Sequence, residues 1–333
     1  MKKVFLLFVL IITTNLFSQQ NQPILDMHLH ALSASNNGPP PTAICAPMAE
    51  MPVHDPSRPW METFGKWLKD PKCKNPIWGG KTDEEVMNKT IEILKKRIIY
   101  GVTSGFLVDA YKEKGGDRII PSLFFNAAQK DITPEKVKEL LLSGKYKVFG
   151  EITNQYFGIA PDDPKFEPYV EIAEELDIPI AIHMGPGPPG TPYIPGLGNY
   201  RAHLSSPLLL EPLLNKHPKL RIYIMHAGYP MIDDLLALLV TYPQVYVDLG
   251  IICYAYPRVA FHSYLKKIVD SGFANRIMFG SDQMNWPETI EVGIEAIETA
   301  DFLSDNQTRD ILYNNAARFL RLSKEEIAKH HAK

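Results

Sequence analysis

Several things are scarce in this chain, and each shortage removes a class of protein. No apolar run approaches the ~18 residues that a membrane-spanning helix needs. The run Val4 to Ile12 has nine. No basic run exceeds the triplet Lys95-Lys96-Arg97, and the formal net charge is −3, which argues against nucleic acid as the main partner. No GxGxxG turn follows the first strand-like run, as an open dinucleotide-binding sheet would require. Cysteine is limited to Cys45, Cys73 and Cys253. The first two share one segment. Either they form a disulfide that leaves Cys253 over, or all three are free thiols. No cysteine follows the run at 4–12, which argues against a lipid anchor.

What remains is an ordinary globular composition, 45% hydrophobic and 22% charged over 333 residues. Lys2 and Lys3, the apolar stretch and a small polar exit at 13–18 read as a secretory signal peptide, cleaved near Ser18 or Gln19. The expectation is therefore a signal peptide at 1–18 and a single mature domain at 19–333. That domain would be periplasmic or secreted, with no membrane attachment after cleavage.

Strand-like apolar runs lie at 23–30, 102–108, 119–125, 147–152, 179–184, 221–226, 244–249 and 276–281. Helical patterns separate them, clearest at 83–99, 134–143, 165–177, 206–216, 230–241, 258–271 and 287–300, and a further helix at about 304–321 closes the fold. Runs such as Ile180-Ala181-Ile182 and Ile222-Tyr223-Ile224-Met225 are apolar without alternation. That is the pattern of strands buried on both faces, hence of a parallel sheet under helices. Eight such units over ~300 residues predict an α/β fold of the (β/α)8 TIM-barrel type. Two inserts follow strands, at 31–82 and 185–205. They carry Trp60, Trp67, Trp78, Tyr193 and Tyr200. Long loops on that face are expected to wall a pocket.

The polar residues that end the strand runs carry the functional signal. His28 and His30 close the first run two residues apart, so both project to one side. Glu151, His183, His226 and Asp282 end four later runs. Singly, each has an ordinary explanation. A histidine there is commonly a hydrogen-bonded structural residue, Glu151 could pair with a cation, and Asp282 could cap the following helix. Together, six ionisable residues where apolar strands end at one barrel face predict a divalent metal site.

These residues also carry a resemblance. Asp26-Met27-His28-Leu29-His30, Gly150-Glu151, Ile182-His183, His226-Ala227-Gly228 and Gly280-Ser281-Asp282 resemble the amidohydrolase superfamily, in its amidohydrolase-related branch of metal-dependent barrel hydrolases and decarboxylases. The run Asn314-Asn315-Ala316-Ala317-Arg318 is similar to that branch's C-terminal motif. The resemblance spans about 23–322. It implies that His28, His30 and Asp282 bind a first metal, and that His183 binds the first or a second. It makes His226 a second-metal ligand or an acid/base group, and places Glu151 where some subgroups bridge two metals. The carbamylated lysine of other subgroups has no counterpart. The implied cofactor is zinc, as one or two ions. The implied activity is hydrolysis of a small ester, lactone or amide by a water that the metal acidifies to a pKa of ~7, with Asp282 and His226 as catalytic groups. The alternative is non-oxidative decarboxylation of a small carboxylic acid.

Substrate recognition is less strongly encoded. Arg201 and His203 in the second insert could grip a carboxylate, although a surface ion pair explains Arg201 equally well. Tyr254 and Trp286 are further candidates for the pocket wall. The expected partner is a small molecule, and a homodimer stays open because no interface signal is present. The segment 324–333, with His330 and His331, reads as a solvated and frayed tail.

Overall fold

The computed structural model describes residues 22–332. The expected signal peptide at 1–18 lies outside the described residues. Strands are numbered in chain order: β1 Ile24–His30, β2 Ala43–Ile44, β3 Ile77–Trp78, β4 Ile99–Ser104, β5 Ile119–Phe125, β6 Val148–Ile152, β7 Ile180–His183, β8 Ile222–Met225, β9 Val245–Asp248 and β10 Ile277–Met278. β2 and β3 form a small antiparallel pair. The other eight make one sheet in the order β1-β4-β5-β6-β7-β8-β9-β10, every paired neighbour parallel. Sequence order equals spatial order, as in a barrel. The seam between β1 and β10 is bridged by Met27 N–H to the Phe279 carbonyl at 2.8 Å and Asp282 N–H to the His28 carbonyl at 2.6 Å. The expected TIM-type α/β barrel is the fold observed.

Two boundaries differ from expectation. The run placed at 102–108 pairs as Ile99–Ser104, three residues earlier. Gly105 ends it at a φ of +126°, and a Cβ there would collide with the Ala31 carbonyl, so the turn is available to glycine alone. The chain then enters an unexpected helix, Val108–Gly115. The last strand shrinks to two residues because the chain leaves the ladder after Met278.

One large apolar cluster packs the strands against the surrounding helices. A second joins Leu25, Tyr100, Val148 and Tyr223 to Tyr313 and Phe319, and fills the end where the strands begin. The C-terminal segment completes that plug. Residues Lys324–His331 are helical, with the Ser323 hydroxyl accepting from Glu326 N–H and Glu326 returning a bond to Ser323 N–H. His330 is buried, stacks on Tyr100 at 3.7 Å and shares a 2.9 Å hydrogen bond with the Tyr313 hydroxyl. The segment is thus helical rather than frayed, and His330 is its buried residue while most of the others are exposed, as expected. A capping box and an aromatic platform order the segment.

At the opposite face the two inserts meet. The first carries helix Trp60–Lys69 and a disulfide between Cys45 and Cys73, while Cys253 is free and buried. Its Trp60 packs under Gly190 of the second insert, where any side chain would strike the indole. His54 lies 6.2 Å from Tyr193. Trp60 is buried as a wall residue should be, but Trp78 is 46% exposed. No helix among the described residues is long and apolar enough to cross a membrane.

Candidate metal centre

The barrel brings all six strand-end residues together. His28, His30, Glu151, His183, His226 and Asp282 are each 6% exposed or less. His28 Nε2 lies 3.8 Å from Asp282 Oδ1 and 3.9 Å from Glu151 Oε2. His30 Nε2 lies 2.9 Å from Asp282 Oδ1 and 3.6 Å from Glu151 Oε2. On the other side, Glu151 Oε1 faces His183 Nδ1 at 2.5 Å and His226 Nε2 at 3.9 Å. Glu151 thus turns one oxygen to each half of the cluster. Three overlapping triads have mutual donor-atom distances within 4.8 Å: His28-His30-Glu151, His28-His226-Asp282 and Glu151-His183-His226.

Backbone strain marks the same place. His226 and Asp282 hold φ values of +62° and +51°, and Ala227 holds +49°. Left-handed backbone at non-glycine residues costs on the order of 1–3 kcal/mol each and persists where surrounding structure enforces it. The φ at Asp282 also rules out the helix-cap explanation. The next helix is Thr289–Glu298, capped at Glu288.

The residues that orient this cluster are not among the six expected from the sequence. Asp248 ends β9 and is fully buried. It accepts from His28 Nδ1 at 3.1 Å, and from the backbone N–H groups of His226 and Gly250 at 2.9 and 2.8 Å. The run Val245-Tyr246-Val247-Asp248 carried the same apolar-then-acid signal as the others. Asp26 accepts from the N–H groups of His28 and Ser281. Burial pushes its carboxyl up to about 6. The Tyr156 hydroxyl reaches His183 Nε2 at 3.3 Å. His226 Nδ1 donates to the Gly250 carbonyl at 3.0 Å, which leaves its Nε2 as the lone-pair nitrogen aimed inward.

Electrostatics supports a cation in this cluster. Burial alone would lower the pKa of His28, but Asp282 and Asp248 outweigh it and hold the imidazole well above its usual value. Burial would raise Glu151, yet the hydrogen bond from His183 and the nearby imidazoles of His226 and His28 hold it well below the carboxylate range. His183 is lowered by burial and by neighbouring His226. The carboxylates therefore attract positive charge to this point. His28 Nε2 and Asp282 Oδ1 are buried with no hydrogen-bond partner. The 2.9 Å approach of His30 to that oxygen also lacks hydrogen-bond geometry. Orphaned buried acceptors are costly. A divalent cation bound by these nitrogen and oxygen donors would satisfy both orphaned atoms at once, so the residues present fit a metal.

The substrate candidates are placed differently. Tyr254 is buried and donates to the Asp282 carbonyl at 2.7 Å. Trp286 is buried and donates to the Thr42 carbonyl at 3.1 Å. Both brace loops rather than present a polar edge to a cavity. Arg201 and His203 are exposed. The Arg201 guanidinium donates to the carbonyls of Gly198 and Tyr200 in its own loop.

The amidohydrolase family model matches residues 26–322. The chain belongs to the amidohydrolase family. Among curated proteins, 147 residues are 25% identical to protein fluG of Emericella nidulans, a match covering 39% of this chain and only 17% of that protein. Solved structures of similar fold include an uncharacterized TIM-barrel protein of Bordetella bronchiseptica, 16% identical, TM-score 0.59, covering 93% of this chain and all of that one. A probable 2-pyrone-4,6-dicarboxylic acid hydrolase of Acinetobacter baumannii is 15% identical, TM-score 0.56, with 90% of this chain and all of that one covered. A manganese-complexed 5-carboxyvanillate decarboxylase of Novosphingobium aromaticivorans is 14% identical, TM-score 0.57, with 91% and 97% covered. At these identities the structures establish the fold.

Proposed function

We propose that this member of the amidohydrolase family is a metal-dependent decarboxylase of a small carboxylic acid. His28, His30 and Asp282, with Glu151 beside them, would hold a divalent cation, zinc or manganese. When bound it supplies the positive charge that anchors a carboxylate and offsets negative charge developing on the substrate.

The observation that carries the reading is the hydrogen-bonded pair His183–His226. Their nitrogens are 2.9 Å apart and both rings are buried. Decarboxylation breaks a carbon–carbon bond, releases CO2 and leaves an electron pair on carbon. A proton must then reach that carbon, and no water need attack. A proton shared by His183 and His226 meets that need. The Tyr156 hydroxyl on the outer nitrogen of His183 and the Gly250 carbonyl on that of His226 fix both rings. Burial excludes water, which strengthens every charge interaction in the site.

A second reading, hydrolysis of an ester, lactone or amide, is favoured by one feature. Glu151 presents its two oxygens to different halves of the cluster, so it would suit a pair of cations that activate a water nucleophile. The two readings separate in one experiment. The metal-loaded protein is offered a panel of aromatic carboxylic acids and of lactones, with CO2 and titratable acid measured in parallel. CO2 release, lost on Asp282→Asn, is the expected outcome. Acid release without CO2 overturns decarboxylation in favour of hydrolysis.

Export is proposed alongside. The Cys45–Cys73 disulfide supports an oxidising compartment, and small polar molecules are the partners that a buried cluster under two loops would admit.

A further inference from the structure

We infer that Gln283 is a positioning residue that stands in for absent strand pairing and thereby holds His30 in coordinating geometry. The inference rests on the reading of His30 as a metal ligand. β1 runs to His30, but its seam partner β10 ends at Met278. The neighbouring chain stays beside β1 only as far as Asp282, whose N–H bonds the His28 carbonyl at 2.6 Å. At Asp282 the backbone turns to a φ of +51° and departs. The N–H and C=O of His30 would then be buried and unpaired at the seam, which is costly for both groups.

Gln283 prevents this with one side chain. Its Oε1 accepts the His30 N–H at 2.9 Å, and its Nε2 donates to the His30 carbonyl at 2.6 Å. It is fully buried. A primary amide carries one acceptor and one donor in a plane, as a peptide group does. Glutamate keeps the acceptor and lacks the donor, and methionine lacks both. Gln283 is also the residue after Asp282, whose Oδ1 is 2.9 Å from His30 Nε2. One residue thus ties together two ligands from opposite sides of the seam, and the spacing between them depends on it.

The test is cation affinity. Gln283→Met and Gln283→Glu are compared with wild type by competition against a chromophoric chelator, and by the visible d–d absorption of the cobalt-loaded proteins. Loss of a group that orients a ligand typically weakens metal affinity 10–100-fold. That loss with an altered cobalt spectrum is expected. A purely structural role would lower the unfolding temperature and leave both readouts unmoved, which would overturn the inference. Should neither variant fold, amide exchange at His30 in the wild-type protein decides. Slow exchange supports the clamp, and exchange at the rate of an open loop overturns it. A wild-type protein that binds no cation overturns both this inference and the metal reading. Tight binding by wild type and variants alike overturns this one alone.

Discussion

Histidines are buried at both ends of this barrel, and they are buried differently. Where the strands begin, the His330 ring lies flat on Tyr100 and bonds Tyr313. Where they end, His28, His30, His183 and His226 crowd one another and two carboxylates, and His28 Nε2 has no partner. The first arrangement is what stability asks of a buried imidazole. The second is unfavourable as protein alone, since orphaned acceptors and left-handed backbone at His226 and Asp282 both cost free energy. A buried histidine is therefore not by itself a sign of function. Histidines that converge without satisfying one another are.

The largest effect that sharpens this contrast is expected at Asp282. Asp282→Asn should lower turnover by ~10³-fold or more, because it removes the charge of a proposed metal ligand. The metal-free fold should unfold at an unchanged or higher temperature, since one buried charge is lost. Activity within a few-fold of wild type would break the contrast. At the other end, His330→Leu should do the reverse. Losing its hydrogen bond and stacking should cost ~1–3 kcal/mol in denaturant unfolding with kcat/KM unmoved.

The disulfide separates the inserts from the barrel. Closing a loop of 28 residues contributes ~3–4 kcal/mol in the chain-entropy account. The double variant Cys45→Ser, Cys73→Ser should lose that stability in the insert that packs against Gly190. KM should rise severalfold while cation affinity holds. A mass spectrum with and without reductant should differ by two hydrogens, and an unchanged mass would refute the bridge.

Much of this contrast was legible in the sequence, for a physical reason. Strands covered on both faces must be apolar throughout, so the eight runs stood out, and an ionisable residue ending such a run was conspicuous. Asp248 obeys the same rule at the end of Val245-Tyr246-Val247. Helix Trp60–Lys69 buries Trp60, Phe64 and Leu68 at helical spacing, a signal hidden by the surrounding prolines. The brace at Gln283 could not be read at all. Its meaning depends on where β10 stops, which only the assembled seam reveals. His330 misled because a Lys- and His-rich terminus looks solvated until an aromatic platform is known to lie beneath it.

Another buried histidine lies between the two extremes. His217 Nε2 and Nδ1 bond Glu167 at 2.7 Å and Glu174 at 3.0 Å. Burial lowers its pKa, but the two glutamates outweigh burial and hold it above the usual value. A raised folded pKa means that the contribution is complete below the unfolded value of ~6.5 and is lost as pH rises through the folded one. His217→Gln should thus narrow the stability gap between pH 6 and pH 9 by about 1 kcal/mol, read from urea midpoints at each pH. A gap the same as in wild type would show that the glutamates do not hold a proton on this ring.

The smallest effect is expected at Arg201. Its charge is exposed, and its donors are committed to the carbonyls of Gly198 and Tyr200. A guanidinium so engaged braces a loop and gains little from a distant carboxylate across water. Arg201→Gln should change KM for a carboxylate substrate by less than about threefold and leave kcat alone. A tenfold rise in KM would mean that the loop swings Arg201 onto the substrate. The mouth of the barrel would then owe its specificity to a moving surface residue as well as to the buried cluster beneath it.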